Sequence, residues 1–468
     1  MSYQSPYSTR YGSDEMRAVW SETTKRRIWR RIWFAVAQAQ AAAGLVTPQQ
    51  VDEIQAHLSK VDVERSLALE AEIGHDLVAE LMAFAEQCPT AGGVLHWGLT
   101  SADVQDNADI IRQKAALTLL LEKLRLLLLN LARRIEATAD IPVLGYTHLQ
   151  PAEPTTLGYR FSGYAQDLVD HFEALNRVRL NLRGKGIKGA VGTAAPFVEM
   201  LVDTPVAAEM LEATVMEALD MQAFPITTQT YPRVQDYTLL STMAGLAASL
   251  HKFAFDLRMM QSPGFRAAAE PFGERQVGSS SMPFKRNPIR AEKICSLARH
   301  LIAAAEIAWQ NTSAHLLERT LDDSANRRSV IPESFLALDE MLITADEIVQ
   351  GMVIDRKSSA SWLETYGAFA ATERLLTALV KAGADRQEMH GRLREHSLQA
   401  WEALQQGKPN PLRPRLTSDT AMLRFLRPEQ ITELLKADGY LGLAPQRARG
   451  MAKQIKDTYA TPADQEKQ

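Results

Sequence analysis

Cysteine is nearly absent: Cys88 and Cys295 are the only two among 468 residues. That excludes a disulfide framework and suits a reducing compartment. An excess of charge of either sign is missing too. The 52 basic and 56 acidic side chains leave a formal net charge of −4, which gives no global attraction to nucleic acid or an anionic membrane. Long apolar runs are also lacking. The start, MSYQSPYSTRYGSDEM, is polar and carries no secretory apolar segment. The most apolar stretch, ALTLLLEKLRLLLLNLARRIEA, is interrupted by charges, as in a buried amphipathic helix and unlike a membrane span. HExxH, CxxC, the Walker pattern GxxxxGK[ST] and the GxSxG elbow do not occur, and no GxGxxG phosphate loop is expected, so no metal site and none of those chemistries is expected. A soluble cytoplasmic protein is the expectation.

What is present is helical periodicity. Apolar residues make up 46% of the chain, ample for a globular core. The spacing predicts helices over 14–43 (ended by Gly44), 48–58, 75–87, 100–139, 155–183, 230–261, 288–318 and 323–352. Within 230–261, Leu239, Met243, Leu246, Leu250, Phe253, Leu257 and Met260 follow steps of four and three, a heptad seam. Thr100 with Asp103 resembles a capping box, and Asn287-Pro288 reads as a helix start. The expected class is all-α, in three helical domains: 1–99, a central long-helix bundle over 100–353, and 354–468. Seams this long suggest that subunits pool their helices into a larger bundle.

Residues 262–287, SPGFRAAAEPFGERQVGSSSMPFKRN, have no period and are rich in Gly, Pro and Ser. Well-marked helices flank them, so a functional lid is favoured over a linker. The segment is basic, with Arg266, Arg275, Lys285 and Arg286 against Glu270 and Glu274. A Gly/Ser loop of this kind turns backbone N–H groups toward an anion, and could stabilise a serine alkoxide. His75, His96 and His148 each lie near a predicted helix end. In ERTLDDSANRRS (318–329), Arg319, Arg327 and Arg328 could clamp an anion or pair with Asp322 and Asp323. In KRRIWRRIW (25–33), Arg26, Arg27, Arg30 and Arg31 read as a solvated face over a packed one. A helix from Ser101 to about Ala139 spans roughly 55 Å. The roughly ten residues on to His148 reach back at most about 35 Å. If Ser101 and His148 serve one site, they come from different subunits.

GSSSMPFKRNP (278–288) resembles the GSSxMPxKxNP signature of the fumarase/aspartase superfamily of lyases. RYGSDEM (10–16), HD (75–76), HWGLTS (96–101), THLQPAEPTT (147–156), TTQTYPR (227–233) and ERTLDDSANRR (318–328) are similar to the adenylosuccinate lyase family within it. The resemblance runs from about residue 5 to 357. It implies a homotetramer with a central helical bundle and sites built from three subunits. It also implies elimination of fumarate from adenylosuccinate to give AMP, and from succinylaminoimidazole carboxamide ribotide, in purine biosynthesis, with no metal or organic cofactor.

By the same resemblance Ser279 is the general base and His148 the general acid, while Lys285 and Asn287 hold the aci-carboxylate. His75 would assist His148 or the leaving group, and Asp76 would lie near the base or ribose. His96 is a further site histidine, and Glu292 orients the active-site histidine. Thr100 and Ser101 would bind the succinyl carboxylate, Arg10 and Tyr11 the nucleotide phosphate, Gln229 the succinyl or amide group, and Arg319, Ser324 and Arg328 the nucleotide side. Gly74 departs from the pattern where many relatives have a basic residue, as does Lys293 where some have arginine. Argininosuccinate lyase, aspartase, fumarase and carboxymuconate cycloisomerase share the signature; Arg10-Tyr11 and 318–328 argue against them. A structural protein on this scaffold would need none of Ser279, His148, Lys285 and Asn287. A nucleic-acid binder rests on KRRIWRRIW alone.

Overall fold

The computed structural model describes residues 3–465, and helices dominate it, in the expected all-α class. The predicted first helix is two: α1 (Asp14–Trp20) and α2 (Glu22–Ala42). Ser21 divides them. Its backbone is extended, and its hydroxyl caps α2 by accepting from the Thr24 N–H. Then follow α3 (Pro48–His57), α4 (Val63–Ile73, unforeseen in its polar setting) and α5 (Asp76–Ala85). Gly74 ends α4 in the left-handed conformation, φ 71°, with its N–H on the Glu70 carbonyl. A side chain would be strained there.

Helix α6 (Ser101–Thr138) is unbroken over 38 residues, about 57 Å at the usual rise. The joint after it is a β-hairpin, β1 (Pro142–Thr147) and β2 (Gln150–Thr156), paired antiparallel. Prolines at 142, 151 and 154 hide it from a sequence reading, because proline is tolerated mainly in edge strands, and both strands here are edges. Next come α7 (Leu157–Asn181), α8 (Ala195–Met200), α9 (Ala208–Ala218) and α10 (Val234–Gln261). All seven residues of the α10 seam are buried, none above 4% exposed. Beyond them lie β3 (Ala268–Ala269), α11 (Ile289–Ser313), α12 (Asp322–Gly351) and β4 (Val353–Ile354), which pairs with β3. The tail holds α13 (Arg356–Ala370), α14 (Thr372–Lys381), α15 (Arg386–Gln405), α16 (Leu412–Thr417), α17 (Pro428–Leu434) and α18 (Ala444–Tyr459).

Contacts group the chain into two compact units. One comprises Met1–Leu124, His171–Ala248 and Ser296–Ile343; the other comprises Arg125–Asp170, Ser249–Cys295 and Thr344–Gln468. In the first unit, Ile32, Trp33 and Phe84 are buried between α2 and α5. Arg26 and Arg30, expected in solvent, are fully buried there. Arg30 Nε donates to Glu80 Oε1 at 2.7 Å, and Arg26 Nε lies 3.3 Å from Glu80 Oε2. Burying charge costs several kcal/mol unless it is paired, so Glu80 on α5 lets those arginines turn inward. In the second unit, Leu375, Leu379, Met389, Leu393, Leu412, Leu416 and Ile431 form a core among α14–α17. Helix α18 is tied to α6 by Lys456–Glu136 (2.6 Å) and by Arg125 on the Tyr459 carbonyl (2.8 Å).

Candidate active site

The first unit holds most of the candidate residues, several of them around the heads of α5 and α6. His75 caps α5: its Nδ1 accepts from the Val78 N–H at 3.4 Å. Its Nε2 is 3.3 Å from the Ser101 hydroxyl. Asp76 is buried and accepts from Gln105 (3.0 Å) and from Arg328 (2.8 Å). Arg328 is thus aimed by a carboxylate while remaining 55% exposed. The Thr100 N–H donates to Asp103 Oδ2 at 2.9 Å, the expected arm of the capping box. His96 takes φ 64°, and its Nδ1 accepts from the Trp33 indole at 3.0 Å.

Arg319 donates to Asp323 (2.8 Å), one of its two expected partners. Arg327 turns inward instead, to Asp236 (2.8 Å) and the Tyr231 hydroxyl (2.7 Å). The Gln229 N–H donates to the Glu318 carbonyl (3.1 Å), joining two candidate segments. Asp76, Arg319, Ser324 and Arg328 together line a cleft of ≈180 Å³. Six basic side chains and four acidic ones surround it, so it favours an anion. Arg10 is exposed and Tyr11 half-buried, its ring 5.7 Å from that of Tyr7.

Beneath this cleft lies a network that sequence reasoning missed. Arg233 is bidentate to Asp106 (3.1 Å for each bond) and donates to Asp323 (2.7 Å). Burial alone would raise the Asp323 carboxyl, but Arg233, Arg327 and Arg319 hold it below its ordinary value. The partners lie 90 and 127 residues apart in sequence, so local spacing gave no signal. GKGIKG, Gly184 to Gly189, matches the GxGxxG pattern, against the expectation that the chain has no such loop. It has the glycine pattern of a dinucleotide loop, but α6 supplies its anion. The Lys188 N–H (3.1 Å) and the Gly189 N–H (3.2 Å) donate to the Asp103 carboxylate, and Lys185 forms a fully buried ion pair with it.

The second unit holds the remaining candidates, on loops except for Glu292 in the first turn of α11. His148 and Leu149 are the two turn residues of the β1–β2 hairpin, at φ 55° and 59°. This is the doubly left-handed turn that matches strand twist, at about 1–2 kcal/mol per non-glycine residue. It presents the exposed His148 imidazole at the hairpin tip. In the 262–287 segment, Ser279 Oγ accepts from the N–H groups of Met282 (3.1 Å) and Ser281 (3.4 Å). Asn287 donates to the Gly278 carbonyl at 2.8 Å, pinning the loop beside the serine. A Cβ on Gly278 would come within 2.0 Å of the Lys285 carbonyl, so only glycine fits. Glu270 clasps the base of the loop, accepting from the Arg290 and Ala291 N–H groups at 3.2 and 3.0 Å. Lys285 is exposed, and Glu292 lies 3.7 Å from Arg258. A cavity of ≈670 Å³ in this unit, lined by residues of α13 and of the end of α6, contains none of the candidate residues.

Among the described residues, no group of three or more His, Cys, Asp or Glu side chains could hold a metal ion. No helix among them is long and apolar enough to cross a membrane.

Comparisons with known proteins place the chain in a family. The family model described as Lyase matches residues 9–302, and the one described as adenylosuccinate lyase C-terminus matches 368–449. The chain is 37% identical over 453 residues to the adenylosuccinate lyase of Saccharomyces cerevisiae, covering 95% of this chain and 93% of that one. It is 31% identical to that of Archaeoglobus fulgidus, covering 97% and 98%. Among solved structures, a fumarate lyase from Mesorhizobium superposes with TM-score 0.83 at 22% identity, covering 97% of this chain and 100% of that one. The Pseudomonas putida 3-carboxy-cis,cis-muconate lactonizing enzyme gives 0.84 at 23%, covering 96% and 99%. These two share the fold. The near full-length matches carry the assignment further: the chain belongs to the adenylosuccinate lyase family of the fumarase/aspartase superfamily.

Proposed function

We infer that this enzyme is a C–N lyase that removes fumarate from adenylosuccinate to give AMP, and from succinylaminoimidazole carboxamide ribotide to give the carboxamide ribotide. The observation that carries this reading is similarity to adenylosuccinate lyases along 95% of the chain.

Residue roles are proposed as follows. Ser279, as alkoxide, takes the proton from the succinyl carbon beside a carboxylate. The N–H groups of Ser281 and Met282, already on its oxygen, offset the charge of that alkoxide. The carbon's electron pair moves into the carboxylate, and Lys285 and Asn287 stabilise the dianion. The pair then returns to form the fumarate double bond, the C–N bond breaks, and His148 protonates the departing nitrogen. His75, hydrogen-bonded to Ser101, assists at the leaving group, and Glu292 orients the catalytic histidine. Thr100 and Ser101 receive a succinyl carboxylate at the start of α6. Arg10 and Tyr11 hold the phosphate, Gln229 the amide side, and Arg319, Ser324, Arg328, Asp76 and His96 the rest of the nucleotide and succinyl group.

The chain is proposed to work as three segments, 1–99, 100–353 and 354–468, assembled as a homotetramer with composite sites. The length of α6 supports that, since about 57 Å separates its ends. Ser279→Ala and His148→Ala proteins, unfolded and reassembled together, are expected to regain part of the activity; confirmed mixed oligomers without recovery would remove shared sites. Two buried cysteines, Cys88 and Cys295, not joined as a disulfide, support a cytoplasmic setting. The direct test of the activity is an absorbance assay with adenylosuccinate, wild type beside Ser279→Ala. Conversion by wild type alone is expected. Conversion by both would remove the serine as base, and conversion by neither would remove the substrate.

A further inference from the structure

Trp33 lies on α2, is 1% exposed, and stacks on Phe84 with ring centroids 6.1 Å apart. Its only polar atom donates at 3.0 Å to His96 Nδ1. An indole N–H is a donor and never an acceptor. The nitrogen that receives it therefore carries no proton, and a neutral imidazole so held has its hydrogen on Nε2. The backbone of His96 is fixed at φ 64°, and the rings of Trp33 and His96 meet edge-on at 85°. Both the direction and the tautomer of this imidazole are thus set from α2.

We propose that Trp33 is a positioning residue that fixes His96 as a neutral imidazole with its proton on Nε2, a hydrogen-bond donor to the substrate that takes no part in proton transfer. The surroundings agree. The titratable groups that act on His96 are Asp103 on α6 and His75 at the head of α5. Asp103 would favour a cation, but Lys185 and three backbone N–H groups already occupy its carboxylate. Burial, the largest influence, and the neighbouring His75 hold the imidazole below the ordinary histidine value. Protonation of Nδ1 would also break the bond to Trp33 and leave the buried indole N–H without an acceptor, at the cost of an unsatisfied donor. Of the three candidate histidines, His96 is thereby separated from His75 and His148. Its contact with the substrate rests on the functional reading above; its tautomer does not.

The test is solid-state NMR of the whole enzyme labelled with ¹⁵N-histidine, from about pH 5.5 to about pH 8. The His96 signal is assigned by its loss in His96→Gln. The expected result is bare Nδ1 and protonated Nε2 throughout. In Trp33→Phe, which keeps an aromatic ring against Phe84 but removes the donor to Nδ1, both tautomers are expected. A wild-type ring protonated on Nδ1, or cationic at neutral pH, would overturn the inference even if Trp33→Phe failed to fold. Kinetics supply the second arm. Glutamine at position 96 keeps a neutral donor near the Nε2 position, so kcat/KM should fall less than about tenfold. A fall in kcat of about 10²–10⁴ with KM unchanged marks a proton-transfer residue and sinks the proposal. Failure of wild type to cleave adenylosuccinate would sink the functional reading, while the tautomer would still decide the role of Trp33.

Discussion

The candidate residues of the two units differ in what already holds them. In the first unit nearly every charged candidate has a partner before substrate arrives: Arg328 has Asp76, Arg319 has Asp323, and His75 has Ser101. In the second, Ser279, Lys285 and His148 sit on a loop and a hairpin tip, held by backbone geometry and few side-chain bonds. The first arrangement suits recognition, because fixed dipoles meet a ligand without reorganising. The second suits reaction, because groups on loops can approach after binding and exclude water as they do. Preorganisation and mobility are thus divided between different stretches of chain.

This contrast can be broken most sharply at Ser279. Ser279→Ala should lower kcat by at least about 10³-fold, on the scale of a lost acid–base group, while the melting temperature stays unchanged. A drop in melting temperature of several degrees would make the loop structural. The opposite behaviour is expected of Arg233→Met. Removing one partner from its buried contacts to Asp106 and Asp323 should cost about 3–5 kcal/mol, read from urea denaturation. A loss below about 1 kcal/mol would mean that the network is not what fixes the cleft.

A third test lies in the tail. Asp419 is buried, which by itself would raise its carboxyl. Hydrogen bonds from His396 and from the Met422 and Ala421 N–H groups, with the Arg392 charge, outweigh that and hold it below the ordinary range. A depressed folded value contributes stability above the unfolded value of about 3.9, lost as pH falls through the folded one. Asp419→Asn should therefore flatten the decline in stability below about pH 4, measured by denaturation at successive pH values. An unchanged slope would assign acid sensitivity elsewhere. The smallest effect is expected at Leu149, exposed at φ 59°. Leu149→Asn, which tolerates that conformation, should gain about 0.5–1 kcal/mol; a loss would show that the leucine makes a contact worth more than its strain.

The helices were legible because period and caps are local. The α10 seam, the start of α6 at Ser101 and the loop 262–287 all follow from neighbours in sequence. What escaped depends on distant partners or on one residue in two roles. Ser21 ends α1 and caps α2 inside an uninterrupted helical pattern. Arg26 and Arg30 look solvated until Glu80 is placed beside them. At the site, Ser279 and His148 were readable from motif, but the backbone N–H pair on Ser279 and the left-handed turn under His148 were not. Arg233 and Trp33 end two segments singled out in the sequence, TTQTYPR and KRRIWRRIW, and Asp106 carried no motif, but the role of each lies in what it touches.

The GKGIKG loop has one more consequence. In binding terms it is an anion receptor whose ligand is part of the same chain. The Asp103 carboxylate cannot diffuse away, and a tethered ligand competes at an effective concentration of about millimolar or above. Free phosphate or nucleotide would have to exceed that to displace it. The enzyme thus carries a glycine-rich receptor that is permanently saturated, and its occupancy fixes where α6 begins.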